Sequence, residues 1–535
     1  MIPSTTSSAA CTAPPADADA DADVGPDADV RPDGDEGADA DGDDADEAEA
    51  DVAPAVLVGP TRLADGATDP VLLDFDTCIL ADYLAVNEGT ADAVVVQRLD
   101  FDGVVVGSSQ RYAPPSVAEL RAAHDWARCG TTAALLAHWY RPDTGSWRPL
   151  LLWVAWDGSD LVVHDVTASV FGADTTALRG FGVAGRAGDE DCWVAWIHDP
   201  DELPSGGMTE IRTRRIRGLE AGDVSAVVHA FNAGDTWGWT LEAAGWFPTD
   251  PHPMPRLATA VDGTGNLLVA VAARDNAGAD LGDVLLLGQQ VRPDGSVGFE
   301  GDAVVWARFG SPCSTPCEGI ESFEAPMLAA AGSYAALAYV LVNQEGGDPG
   351  RRRLMTQTIQ LTSHVPGMPR EETWAGPPVR ITNLVAAGGQ FFGAVSQWSG
   401  DISDRSSRLH FFEAAVGVGA TSLWSSPGMY TRLRPGRDDA VIASWYAQEE
   451  AVPGTPTSAE LVVRMQKFVG GARAPDWPDD GFRLFDPAAY DLDGDVGCLP
   501  QGVATPGGGA LTAFTSRGEP SGHQIQVVRV VPGAP

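Results

Sequence analysis

Eight times between residues 78 and 516 the chain returns to one short pattern, an apolar run with an alanine inside it: CILADYLAV, ALLAHWY, CWVAWIH, LLVAVAA, ALAYVLV, FFGAVSQ, VIASWYA and ALTAFTS. The shared alanines are Ala81, Ala137, Ala195, Ala270, Ala338, Ala394, Ala443 and Ala513, spaced 49 to 75 residues apart. Each run is followed, across a polar connection containing Gly or Pro, by a second apolar run, and several of these end in the tight-turn pairs Asp-Gly or Gly-Gly. AVVVQRLDFDG at 93–103 and LLLGQQVRPDG at 285–295 match with Gln97/Gln289, Asp102/Asp294 and Gly103/Gly295 in step.

A period of this length holds about four short strands, and a single twisted sheet of that size buries both faces only when neighbouring sheets stack on it. The expected fold is therefore all-β: a single β-propeller of about eight four-stranded blades over residues 55–535, with seven blades as the alternative. The matched segments read as the third strand and turn of a blade. The repeated alanine is expected where inner strands converge on the axis and bulky side chains would clash. Residues 511–531 fall one strand short of a blade, and AVLVGPTRL at 55–63 supplies one strand too many. Pairing the two closes the ring and removes an exposed edge. PPSVAELRAAHDWARCG departs from the pattern: Ser116 and Glu119 have capping-box spacing, which predicts a short helical insertion near the second blade. The abundance of Gly (61) and Pro (39) fits many short strands joined by turns.

The formal charge is −41, and residues 17–51, with 17 Asp/Glu and one Arg, hold about two-fifths of it. Such alternating like charge, nearly free of large apolar side chains, predicts a disordered acidic tether over residues 1–54. The remainder is still acidic enough to repel nucleic acid and anionic lipid, so neither is an expected partner. SSAAC, ending at Cys11, resembles the cleavage end of a bacterial lipoprotein signal, and the only expected contact with a membrane is a lipid on Cys11. The six further cysteines are Cys78, Cys129, Cys192, Cys313, Cys317 and Cys498. At least partial bridging is expected, with Cys313–Cys317 in CSTPC the most local pair, which implies an oxidising compartment.

Taken with the tether, the repeat resembles the secreted or lipid-anchored β-propeller proteins of bacteria over about nine-tenths of the chain, a likeness of architecture and not of one enzyme family. The sialidase turn motif S-x-D-x-G-x-T-W is matched only in part, by RPDTGSW, and the Trp-docking repeats of quinoprotein dehydrogenases are missing. There is no G-x-S-x-G, H-E-x-x-H, Walker loop or C-x-x-C. No catalytic residue is assigned on this basis.

Two local features carry the remaining chemistry. Asp491, Asp493 and Asp495 alternate in YDLDGDVGC and form either a calcium-stabilised loop or a solvated acidic turn; the Gly that a helix-loop-helix calcium site needs at its sixth position is absent. Beyond that structural ion no cofactor is expected. Trp237, Trp239 and Trp246 in GDTWGWTLEAAGWFP would suit stacking on sugar rings or an apolar protein surface, although packing between blades is the plainer reading. The expected function is a monomeric, non-enzymatic envelope or secreted protein that binds a protein or glycan through its loop face. The alternative is a glycan-active hydrolase or lyase working in the central channel, whose carboxylates would come from different blades and leave no local motif.

Overall fold

The structure is a computed structural model. It describes residues 54–532 except 88–89, 114–118, 142–145, 159, 173–177, 199–209, 219–220, 233–238, 242–256, 276–283, 300–303, 310–320, 344–351, 364, 372–377, 398–405, 413–419, 428, 451–458, 485–499 and 519–521. The described strands form eight antiparallel sheets. Blade 1 is Ala67–Asp74, Ile79–Asn87, Thr90–Leu99 and Val105–Tyr112. Blade 2 is Glu119–Cys129, Thr132–Arg141, Ser146–Trp156 and Leu161–Asp165. The later blades repeat this order, with Cys192–His198, Leu267–Asp275, Tyr334–Asn343, Gln390–Gln397, Ala440–Glu450 and Ala510–Gly518 as the second strands of blades 3 to 8. Blade 8 draws on both ends of the chain. Its outer strand is Val56–Asp65, antiparallel to Gly522–Val531, with Val56 opposite Val531 and Asp65 opposite Gln524.

Eight apolar clusters hold the molecule together, one between each pair of successive sheets. The eighth packs Leu511, Ala513, Ile525 and Val527 of blade 8 against Leu72, Ile79 and Ala81 of blade 1. Both faces of every second strand are therefore buried, which is why these strands read as unbroken apolar runs and do not alternate. Each large aliphatic side chain so buried contributes roughly 1.5–3 kcal/mol.

All eight repeated alanines are 0 or 1 % exposed. Their strand is nevertheless the second of each blade and not the innermost, so convergence at the axis does not explain them. Nor are they equivalent. Ala81, Ala137 and Ala443 pack against the preceding blade, whereas Ala195, Ala270, Ala338, Ala394 and Ala513 pack against the following one. With side chains alternating between faces, an offset of one residue is enough to exchange the two interfaces.

The expected helical insertion is instead the innermost strand of blade 2. Glu119–Cys129 pairs with Thr132–Arg141, and an irregularity between Arg121 and Asp125 absorbs the residues that broke strand alternation. Pairing along the whole neighbouring strand overrides a local helix signal; Ser116 lies outside the described residues. The helix that does form, Thr167–Phe171, follows blade 2 and sets Phe171 edge-on to Trp196 at 5.3 Å.

The matched segments of the repeat are equivalent turns. Asp100 N donates to Val104 O and Gly103 N to Asp100 O; Arg292 N donates to Ser296 O and Gly295 N to Arg292 O. Gly103 and Gly295 adopt φ of 81° and 85°, a conformation that costs glycine little.

Candidate functional site

The two ends of the ring are built differently. At one end, first and second strands are joined by short turns such as Gly130–Thr131, Gly332–Ser333 and Gly388–Gly389. At the other, second and third strands are joined by connectors such as 199–209, 276–283 and 451–458, which lie outside the described residues.

Blades are tied together at the turn end. Arg128 pairs with Asp76 between blades 2 and 1. Cys129 and Cys192 form a disulfide between blades 2 and 3. Arg186 donates to Gly263 O at 2.7 Å between blades 3 and 4, and Gly263 N donates to Gly332 O at 3.2 Å between blades 4 and 5. Lys467 Nζ donates to Gly508 O at 2.8 Å between blades 7 and 8. Arg437 reaches past blade 8 to Asp74 of blade 1, with Nε to Oδ2 and Nη2 to Oδ1 both at 2.8 Å. This carboxylate pushes the Arg437 guanidinium above its ordinary pKa.

On the innermost strands, acidic and arginine positions fall in the half of the strand nearer the connector end. Toward that end stand Asp69 in blade 1, Glu119 and Arg121 in blade 2, Arg179 in blade 3, Glu321 and Glu324 in blade 5, and Arg380 in blade 6. They come from five blades and from positions more than 300 residues apart in the chain. No sequence motif marks them, because only the ring brings them to one rim.

A second polar group lies farther out on blade 3, also toward the connectors. Glu210 Oε2 accepts from Arg212 Nε at 2.7 Å and lies 3.2 Å from His229 Nδ1. Glu210 stands opposite His198 in the sheet, and Arg212 opposite Trp196. The Glu210 and Arg212 side chains are 16 % and 18 % exposed, whereas His229 is 56 % exposed. Sequence reasoning passed over these residues. The signal was there: EIRTRRIR concentrates four arginines in a chain of −41, and Glu210, Arg212 and Arg214 are part-exposed between the buried Ile211 and Thr213.

Of the residues singled out by sequence, Trp239 lies on a short strand whose backbone pairs with Asp275. Trp237, Trp246, Asp491, Asp493, Asp495, Cys11, Cys313 and Cys317 lie outside the described residues. Among the described residues no group of acidic, His or Cys side chains is placed to hold a metal. Bridging is present, at Cys129–Cys192, while Cys78 is a buried free thiol.

No family model matches the chain. No curated protein is similar to it in sequence. Among solved structures it is similar to the polysaccharide lyase Uly1, at 8 % identity and a TM-score of 0.43, covering 86 % of this chain and 89 % of that one. It is also similar to the endosialidase of phage phi92 (11 % identity, TM-score 0.38, 90 % and 70 % covered) and to a PL25 ulvan lyase bound to -[GlcA(1-4)Rha3S]- (8 % identity, TM-score 0.38, 89 % and 96 % covered). The expectation of a non-enzymatic binding protein is corrected to its alternative, a glycan-active enzyme, taken up below; the similar structures are by name a polysaccharide lyase, an endosialidase and an ulvan lyase, and at these identities the likeness shows the fold alone.

Proposed function

We propose that the chain is a glycan-active enzyme, a hydrolase or lyase working at the connector end of the central channel. The observation that carries this reading is that acidic and arginine positions of five blades fall in the connector-end halves of the innermost strands, at the end of the ring not tied by turns. Glycosidic cleavage by either route needs such a mixture. Hydrolysis uses a carboxyl as acid and a carboxylate as base or nucleophile. Elimination at a uronic acid needs a base for the proton beside the sugar carboxylate and a cation to stabilise the charge that develops there. The Cys129–Cys192 bridge fits a protein that works in an oxidising compartment outside the cytoplasm.

The test is turnover of neutral and uronate-containing polysaccharides by the full chain. An unsaturated, ultraviolet-absorbing product identifies a lyase, and new reducing ends without it identify a hydrolase. Glu119→Gln, Glu321→Gln and Glu324→Gln are each expected to keep the fold, and at least one to lose turnover by a factor of about 100 or more. Turnover on no substrate, or full activity in all three variants, would sink the proposal.

A further inference from the structure

We propose that a side-chain clasp, Arg437 to Asp74, holds the ring shut across blade 8, so that the N-terminal strand Val56–Asp65 can leave without the ring opening.

Blade 8 is assembled from both ends of the chain, and its outer strand is hydrogen-bonded along one edge only, with Ala55 N donating to Asp476 O of blade 7 just ahead of it and Leu57, Leu63 and Ala64 packing at the margins of the flanking clusters. None of the ten residues of that strand is buried. Val56 and Val58 are 57 % and 49 % exposed, and the pairing with Gly522–Val531 slips twice, between Val58 and Thr61 and between Arg62 and Ala64. The other three strands of blade 8 are held from both sides. Phe514, Val528 and Val530 pack against Ile442, Tyr446 and Met465 of blade 7, and Leu511, Ala513 and Val527 pack against blade 1.

The clasp joins the two blades that flank this one. Its two parallel hydrogen bonds fix direction as well as distance, which a single-point contact does not. The Arg437 and Asp74 side chains are 26 % and 13 % exposed, and the guanidinium lies 5.3 Å from the centre of the Phe101 ring, so the pair is partly shielded from water. Asp76 stands 3.8 Å away as a second carboxylate. The turn that presents Arg437 is unusual: Asp438 and Asp439 both adopt positive φ, 54° and 56°, and Gly436 N donates to Ala440 O at 2.7 Å. Two consecutive non-glycine residues in that region persist only where surrounding contacts over-determine them.

The test uses the full chain. Leu57→Pro with Arg62→Pro breaks the pairing of the N-terminal strand, Arg437→Met removes the clasp, and a third variant carries all three changes. The proline variant and R437M are each expected to remain folded and monomeric, with the thermal midpoint lowered by about 1–3 °C. The combined variant is expected to lose its cooperative transition or to fall by at least twice the sum of the separate shifts. Asp74→Asn should reproduce R437M and add nothing to it. The proposal is overturned if the proline variant alone unfolds or self-associates, or if the combined shift is merely additive.

Discussion

The turn end and the connector end of this ring use charge for opposite purposes. At the turn end several cations meet a partner on another blade, as Arg437 meets Asp74 and Arg186 meets Gly263 O, alongside pairs within a blade such as Arg217 with Asp191. At the connector end the charged positions of the innermost strands lie on a rim between segments of variable length, and the best-described pair, Glu210 with His229, lies within one blade. Contacts between blades resist their separation. Contacts within a blade position a side chain without stiffening the ring. Substitutions at the turn end should therefore cost stability, and those at the connector end should cost function first.

The largest effect tests the turn end directly. Replacing Cys129 and Cys192 by Ser opens a loop whose ends are 63 residues apart, a constraint worth up to about 4 kcal/mol. Chemical denaturation should show the midpoint falling with little change in slope. A midpoint unchanged from the parent would mean that the interface between blades 2 and 3 does not need its staple.

Gly185→Ala probes the same seam with both cysteines kept. A Cβ there would lie 2.2 Å from Cys129 Sγ and 2.6 Å from Arg128 O, so the backbone must move, at about 1–3 kcal/mol. The thermal midpoint should fall in the oxidised protein and fall less once Cys129 and Cys192 are serines. Equal shifts in both backgrounds would show that Arg128 O, and not the disulfide, sets the limit.

Cys78 lies by the first turn of blade 1, and burial pushes its thiol from 9.0 up to about 11, with Arg98 acting in the opposite sense. A thiol with a raised folded pKa favours the folded state fully below pH 9. That contribution is lost as pH rises from about 9 to 11, because the unfolded chain ionises first. Native protein should resist thiol alkylation at pH 8 and become reactive on unfolding; rapid labelling of Cys78 in the folded protein would show the turn end to be looser than its contacts imply.

The smallest stability change is expected at the connector end. His229→Gln removes one part-exposed contact to Glu210 and should cost no more than about 1 kcal/mol. A loss comparable to that at Cys129 would erase the contrast between the ends.

Much of the architecture was legible because stacking leaves a periodic trace. The strand pairs, the Asp-Gly turns and the surplus strand at 55–63 could all be read from apolar runs and glycine placement. The buried glutamines had no visible purpose: Gln357 Nε2 donates to Gly367 O at 2.6 Å and Gln466 Nε2 to Pro478 O at 2.7 Å, where the fourth strands of blades 5 and 7 are interrupted. A glutamine is conspicuous in an apolar strand, but the carbonyl it satisfies belongs to a break that only the folded sheet reveals. Glu119 was misread because capping spacing is a local signal, whereas its strand is decided by Thr132–Arg141.

The sequence by itself determined an all-β ring of repeated sheets, since the need to bury both faces of a short strand writes itself into every repeat. Tertiary structure alone decided which cysteines meet, which face each repeated alanine takes, and which acidic and arginine positions fall at one end of the ring. Those outcomes depend on a one-residue offset within a strand or on approaches between distant blades, and neither leaves a mark on neighbouring residues in the chain.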